Sequence, residues 1–208
     1  MLSIETVSAF FLASTLLALA PGPDNVFVLT QSALHGKLSG LVVMLGLCTG
    51  LLVHTGAVAF GVAVIFQASA IAFTLLKVIG AGYLLYLSWQ VLCASPEHIH
   101  LQGKPQKSLG KLYRRGIIMN VTNPKVSIFF LAFLPQFADP ERGSISLQMV
   151  ALGGIFIMAT ILVFGTVALV GGALGEWLNR SMRAQRIANW VAGAVFVGLA
   201  LKLVSTEK

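Results

Sequence analysis

Charged residues are scarce in this chain. Only 10% of its 208 residues are Asp, Glu, Lys or Arg, whereas 57% are hydrophobic. An ordinary soluble domain carries about 25% charged residues, so that class is excluded. Acidic residues are the rarer kind, seven against 14 Lys and Arg. The net charge of +7 does not indicate nucleic-acid binding, because the basic residues fall between apolar runs, where they mark topology in a lipid bilayer.

Cysteine and catalytic patterns are also missing. Cys48 and Cys93 lie in or beside apolar runs without CxxC spacing, so we expect both to be packing residues. The chain has no HExxH or GxSxG pattern. Its apolar runs hold isolated Asp, Lys and His residues and no clustered nucleophile, acid and base. The sequence therefore predicts no catalytic residues, no metal ligands and no cofactor.

Six long apolar runs predict an all-α integral membrane protein with six transmembrane helices. The first run carries no Lys or Arg before it, only Glu5, and continues past Ala20, so we interpret it as a retained helix and not as a signal peptide. The predicted spans cover about residues 4–34, 41–66, 72–92, 116–137, 145–174 and 187–204.

Two of these runs contain prolines at which the helix should break. The first holds Ala20-Pro21-Gly22-Pro23-Asp24-Asn25, and the fourth holds Asn123-Pro124-Lys125. Proline lacks an amide hydrogen and clashes with the preceding turn. Broken backbone at membrane depth is tolerated only where protein or a water-filled cavity covers it. The breaks therefore predict a substrate site made by these residues: Pro21, Gly22, Pro23, Asp24, Asn25, Asn120, Asn123, Pro124 and Lys125.

The two halves of the chain resemble each other as inverted repeats. Pro23 and Asp24 match Pro124 and Lys125 at an offset of 101 residues. Three spans per half give the halves opposite orientations, and interrupted helices at matching positions point to a transport site at the midplane. We expect a first three-helix repeat over 1–94, a basic cytoplasmic loop over 95–115 and a second repeat over 116–208. The links after spans one, three and five carry nine Lys and Arg against four on the other side, which places those links in the cytoplasm.

Opposite charges at the breaks suggest a ligand. Asp24 opens a half-helix, whose N-terminus favours a carboxylate, whereas Lys125 at the equivalent position needs an anion nearby. An amino-acid zwitterion satisfies both residues. The alternative is a permanent Asp24–Lys125 bridge that only locks the repeats together. The asparagines at the breaks either bind the ligand or satisfy backbone groups that the prolines leave unpaired.

His54 is a proton-relay candidate. It follows Gly46 and Gly50 at four-residue spacing, so the three share one helix face, and small residues on such a face let helices pack closely. We expect His54 to face the bundle. The alternative role is structural, a histidine hydrogen-bonded to a backbone carbonyl.

The motifs at 20–24 and 123–125, together with 76–87 (LKVIGAGYLLYL), resemble the lysine exporter (LysE) superfamily, and more closely its homoserine/threonine efflux (RhtB) branch. The resemblance covers nearly the whole chain. It implies a multi-pass protein of the bacterial inner membrane that exports an amino acid or a derivative, driven by proton antiport. The alternatives are a metal-ion or other small-solute exporter of the same fold and, less favoured, a membrane-embedded enzyme. The sequence leaves the oligomeric state open, including a homo-oligomer.

Overall fold

A computed structural model of the chain describes residues 2–62, 70–94 and 108–205, and these ranges contain helices and no strand. The helices are α1 (Ile4–Leu19), α2 (Pro23–His35), α3 (Lys37–Ala57), α4 (Ala70–Cys93), α5 (Leu109–Val121), α6 (Pro124–Ile128), α7 (Ile145–Arg180) and α8 (Met182–Ser205). A π-helical turn, Val58–Val62, continues α3, and a π-helical turn, Phe129–Phe133, followed by a 3₁₀ turn, Leu134–Phe137, continues α6.

The described helices account for all six predicted spans. Four are long and apolar enough to cross a membrane, and the count rises to six if each of two bent pairs is one span. The bent pairs are α1 with α2, at 63°, and α5 with the segment Pro124–Phe137, at 49°. Both breaks fall at the proline motifs, so the predicted all-α membrane fold and its two interrupted helices are confirmed.

The predicted basic loop over 95–115 is partly wrong. Residues 95–107 lie outside the described residues, but 109–115 form the first two turns of α5. Lys111, Arg114 and Arg115 occupy its exposed side, while Leu112 is buried. Where a helix is amphipathic, charged residues on one side lower the hydropathy although the backbone stays helical. The helix therefore begins before the apolar run does.

The predicted link around Arg180, Arg183 and Arg186 is also shorter than expected. Helix α7 extends to Arg180 and α8 begins at Met182, so Ser181 alone separates them. Basic residues at the ends of spans sit where a membrane meets water, and there the helical backbone continues although the hydropathy falls.

Close backbone contact joins α3 to α5. A Cβ atom built on Gly116 lies 2.5 Å from the carbonyl oxygen of Val43 and 3.1 Å from the Cα atom of Gly46. A Cβ atom built on Gly46 meets the carbonyl oxygen of Tyr113. Only glycine leaves room for the two backbones at this distance, as is typical of helix pairs inside membranes. This crossing places the end of α5 against the middle of α3.

Buried phenylalanines pack the turns after α6 against α1. Phe10, Phe129, Phe130 and Phe133 are fully buried. The ring of Phe129 lies 4.8 Å from that of Phe133 and 5.8 Å from that of Phe10, between ring centres. The irregular turns after α6 thus pack against α1, and this contact holds the second break beside the first.

Candidate functional site

The first break leaves the end of α1 with carbonyl groups that lack their usual partners. In a continuous helix, the amides of residues 21 and 23 would donate to the carbonyls of Leu17 and Leu19. Both positions are prolines, which have no amide hydrogen. Gly22 between them has a φ of −172°, an extended conformation that any residue adopts. Other groups must therefore donate to the last carbonyls of α1.

Side chains donate to three carbonyls at this end of α1, including that of Leu17. The Lys125 ammonium donates to the carbonyl oxygens of Leu17, at 3.2 Å, and Ala20, at 3.0 Å. Asn25 Nδ2 donates to the carbonyl oxygen of Ala18 at 2.7 Å. The C-terminus of a helix carries partial negative charge, which favours a cation. Lys125, only 6% exposed, thus caps α1 from the far half of the chain.

Gly22 makes room for this cap. A Cβ atom built on Gly22 lies 3.2 Å from Lys125 Nζ, so a larger residue would crowd the ammonium. The need for glycine here is steric and not conformational.

Asn123 joins the two breaks. As the N-cap of α6, its Oδ1 accepts the amide of Lys125 at 3.0 Å. Its Nδ2 donates to Asp24 Oδ2 at 2.8 Å. Asp24 is buried in the first turn of α2, where the helix N-terminus favours its charge. One asparagine side chain thus links the N-terminal turns of α2 and α6.

The direct Asp24–Lys125 bridge, which the sequence left open as the alternative to a ligand site, is not observed. Among the described residues, no ion pair within 4.0 Å joins these two side chains. Asp24 instead accepts from Asn123, and Lys125 donates to the end of α1. The opposite charges and the half-helix N-termini suggested a bridge, but the carbonyls at the end of α1 also need donors, and Lys125 binds two of them. Neither charge is therefore isolated, although the two do not touch.

His54 faces the bundle, as predicted. Its Nε2 lies 3.2 Å from the carbonyl oxygen of Asn120, and because a carbonyl only accepts, Nε2 carries the hydrogen. Asn120 precedes Pro124 by four residues, so Pro124 cannot supply the helical donor for that carbonyl. A Cβ atom built on Gly50 would meet the Asn120 side chain at 2.7 Å. This face of α3 therefore packs against Asn120 beside the second break. His54 has the structural role considered for it, a hydrogen bond to a backbone carbonyl.

Three buried oxygen atoms at the breaks have no hydrogen-bond partner among the described residues: Asp24 Oδ1, Asn25 Oδ1 and Asn120 Oδ1. All three are acceptors, and all belong to the predicted site. Buried acceptors without donors are costly and rare in folded proteins. A group with hydrogens to donate would therefore be favoured beside these three oxygens.

The structure thus gathers the predicted site residues around two facing breaks. The backbone carbonyl groups of Leu17, Ala18 and Ala20 also belong to the site, although none of them was predicted. A proline four residues after Leu17 is the signal that would have identified the first of them. Among the described residues, no group of three His, Cys, Asp or Glu is placed to hold a metal ion.

Comparison with known proteins identifies the family. The model of the LysE type translocator family matches residues 15–207. A homoserine/homoserine lactone efflux protein of Salmonella typhimurium is 35% identical over 209 residues, which cover 99% of each chain. The protein of the same name from Salmonella typhi is 32% identical over 209 residues, again 99% of each chain.

An uncharacterised membrane protein of Pseudomonas aeruginosa is 31% identical over 211 residues, which cover 98% of this chain and 97% of that protein. No solved structure matches the chain. The family match covers both proline breaks and every predicted site residue. The chain is a multi-pass membrane protein that belongs to the LysE type translocator family.

Proposed function

We propose that this protein exports an amino acid or an amino-acid derivative of the homoserine class across the bacterial inner membrane by proton antiport. The observation that carries the proposal is the meeting of two broken helices around buried Asp24 and Lys125. The curated relatives, named for efflux of homoserine and its lactone, support the substrate class. Interrupted helices at membrane depth are a recurrent basis of transport sites.

The ammonium of the substrate binds the unpartnered oxygens at the breaks. Asp24 Oδ1, Asn25 Oδ1 and Asn120 Oδ1 are acceptors, and an ammonium has three hydrogens to donate. Asp24 adds a negative charge to this set. A substrate amine thus removes the cost of three buried acceptors.

The carboxylate of the substrate binds Lys125. An ammonium has three donors, and the carbonyls of Leu17 and Ala20 take two of them. The third is directed to the ligand. The N-termini of α2 and α6, both at the breaks, add partial positive charge that favours an anion.

Proton exchange takes place at Asp24 or His54. Both are titratable and buried at the breaks, and ionisable groups inside a membrane mark ion and proton pathways. His54 already donates through Nε2 to the Asn120 carbonyl, so its other ring nitrogen is the one that exchanges protons. Export therefore depends on the proton gradient.

The transport site lies between two inverted repeats, 1–94 and 116–208, with the basic link between them in the cytoplasm. Reciprocal contacts between α4 and α8 support the repeat. Gly80 and Gly193 each begin a Gly-Ala pair with an aromatic residue two positions after it, so they match at an offset of 113 residues. A Cβ atom built on Gly80 meets Leu203, and one built on Gly193 meets Leu92. Leu203 is ten residues past Gly193 and Leu92 is twelve past Gly80. Such near-equivalence is what a pseudo-twofold axis between the halves would produce.

The experiment is efflux from vesicles that contain purified protein. Preloaded L-homoserine should leave, and a preloaded divalent metal ion should not. Asp24→Asn should abolish export, whereas Glu141→Gln, which changes an exposed carboxylate far from the breaks, should leave it unchanged. Export of metal without amino acid would select the alternative function.

A further inference from the structure

A cavity opens at the other end of α1 from the breaks. Its volume is about 370 Å³, within the range of small-molecule sites. Glu5, which lines it, precedes the end of α1 by fourteen residues, so at about 1.5 Å per residue the cavity lies roughly 20 Å from the first break. The lining comes from the start of α1, the turns after α6, the start of α7 and the end of α8, and it includes Leu2, Glu5, Ala9, Gln136, Arg142 and Lys202.

The wall of this cavity contains a buried acceptor without a donor. Gln136 is 9% exposed, and its Nε2 donates to the carbonyl oxygen of Ala132 at 3.1 Å. Its Oε1 is buried and has no hydrogen-bond partner among the described residues. Because this oxygen is closed off from solvent, it does not face the open cavity. The group of the cavity that favours a cation is the exposed carboxylate of Glu5.

Two cations line the cavity as well. The Lys202 ammonium lies 4.5 Å from the centre of the Phe137 ring, a cation–π contact that holds its position. Arg142 pairs with Asp139 at 3.1 Å. An anion therefore meets positive charge in the same cavity that offers acceptors to an ammonium.

Hydrogen bonds of Gln148 hold one part of the cavity wall in place. Gln148 accepts the amide of Asp139 at 3.0 Å and donates to the carbonyls of Asp139, at 2.8 Å, and Gly143, at 3.2 Å. These bonds fix the turn that carries Arg142 to the start of α7. A preorganised wall lowers the cost of binding.

We propose that this cavity is a second binding site, which holds the zwitterionic amino acid as it leaves the protein on the outer side. Glu5 binds the ammonium, and Lys202 and Arg142 bind the carboxylate. The proposal rests on the proposed function and adds to it a site distinct from the breaks. Under the proposed topology the cavity opens to the periplasm.

Protection of a cysteine from chemical labelling tests the site. Cys48 and Cys93 are the two cysteines of the chain, and both are replaced by Ala. Ala9→Cys then places a thiol in the cavity wall, and Leu2→Cys serves as a second position if the first does not fold. A membrane-impermeant maleimide is added to spheroplasts with and without external L-homoserine. We expect homoserine to slow labelling and homoserine lactone, which has no carboxylate, to do so less.

Charge variants separate the site from general crowding. Lys202→Met should weaken protection by homoserine about tenfold, because a charge-assisted contact is lost, and Lys202→Arg should retain most of it. Lys37→Met changes an exposed lysine outside the cavity and should have no effect. Glu141→Cys, exposed but outside the cavity lining, should label at a rate that homoserine does not change.

Three outcomes would overturn the proposal. Unprotected labelling of both cavity cysteines would do so, and efflux measured in the same cells then says whether the exporter function stands without the cavity site. Labelling only after the membrane is opened would put the cavity on the inner side. Slow labelling without homoserine that becomes fast in vesicles of phosphatidylglycerol alone would assign the cavity to the headgroup of phosphatidylethanolamine, which also pairs an ammonium with an anion.

Discussion

Lys125→Met distinguishes the observed helix cap from a direct Asp24–Lys125 bridge. Methionine keeps much of the side-chain volume but removes the ammonium that donates to the carbonyls of Leu17 and Ala20. Each buried acceptor left without a donor costs about 1–3 kcal/mol, so the two together cost about 2–6 kcal/mol. For a chain of this size 1 kcal/mol shifts the melting temperature by about 2–4 °C, and the lower bound corresponds to about 4–8 °C.

Asp24→Asn should be much milder for stability. The asparagine oxygen can still accept from Asn123 Nδ2, which now bonds Asp24 Oδ2 at 2.8 Å. Lys125 keeps both carbonyl partners, because neither belongs to Asp24. We therefore expect normal abundance and a melting temperature close to that of the parent, together with lost export. Stability and transport should separate in this variant.

The double variant decides between the two arrangements. If Lys125 caps α1, Asp24→Asn should not rescue Lys125→Met, and the two effects should add within about 0.5 kcal/mol. If a direct buried bridge held the halves together, each single variant would cost about 3–5 kcal/mol and the double variant would recover. Thermal unfolding of the detergent-solubilised protein, followed with a thiol-reactive dye or by fluorescence-detected chromatography, measures all three variants. Lys37→Met, on an exposed side chain, is the matched control and should lie within about 0.5 kcal/mol of the parent. Recovery in the double variant would refute the cap.

Three further predictions follow from the same contacts. Gly116→Ala should destabilise the fold by about 1–3 kcal/mol, because its Cβ atom would press on the Val43 carbonyl, whereas Gly110→Ala on the same helix has open space around it; membrane abundance measures both, and equal abundance would contradict the close crossing. An alkaline phosphatase fused between residues 95 and 107 should be inactive, because nine Lys and Arg against four place that link in the cytoplasm; an active fusion would reverse the topology. Export of homoserine should stop when an uncoupler collapses the proton gradient, and export that continues would leave His54 with its structural bond to Asn120 alone.

The spans and breaks were predictable from the sequence because they depend on local properties. A long apolar run becomes a helix in a membrane whatever surrounds it, and proline interrupts a helix through its own missing hydrogen. The inward direction of His54 was predictable too, since Gly46 and Gly50 mark a face on which another helix packs closely. The extent of α5 was not predictable by the same means. Its first two turns are amphipathic, and their charged residues lower the hydropathy although the backbone is helical.

Partner choice was decided by the tertiary structure. The sequence presents Asp24 and Lys125 as opposite charges on equivalent prolines, but the ammonium binds the end of α1, where backbone carbonyls without donors come nearer than the carboxylate. Hydrogen bonding and dipole interactions depend on distances of a few tenths of an ångström, which residue types alone do not specify. The cavity at the start of α1 is likewise visible only in the fold, because four segments far apart in the chain line it. Local chemistry determined which residues are unusual, and packing determined what each of them contacts.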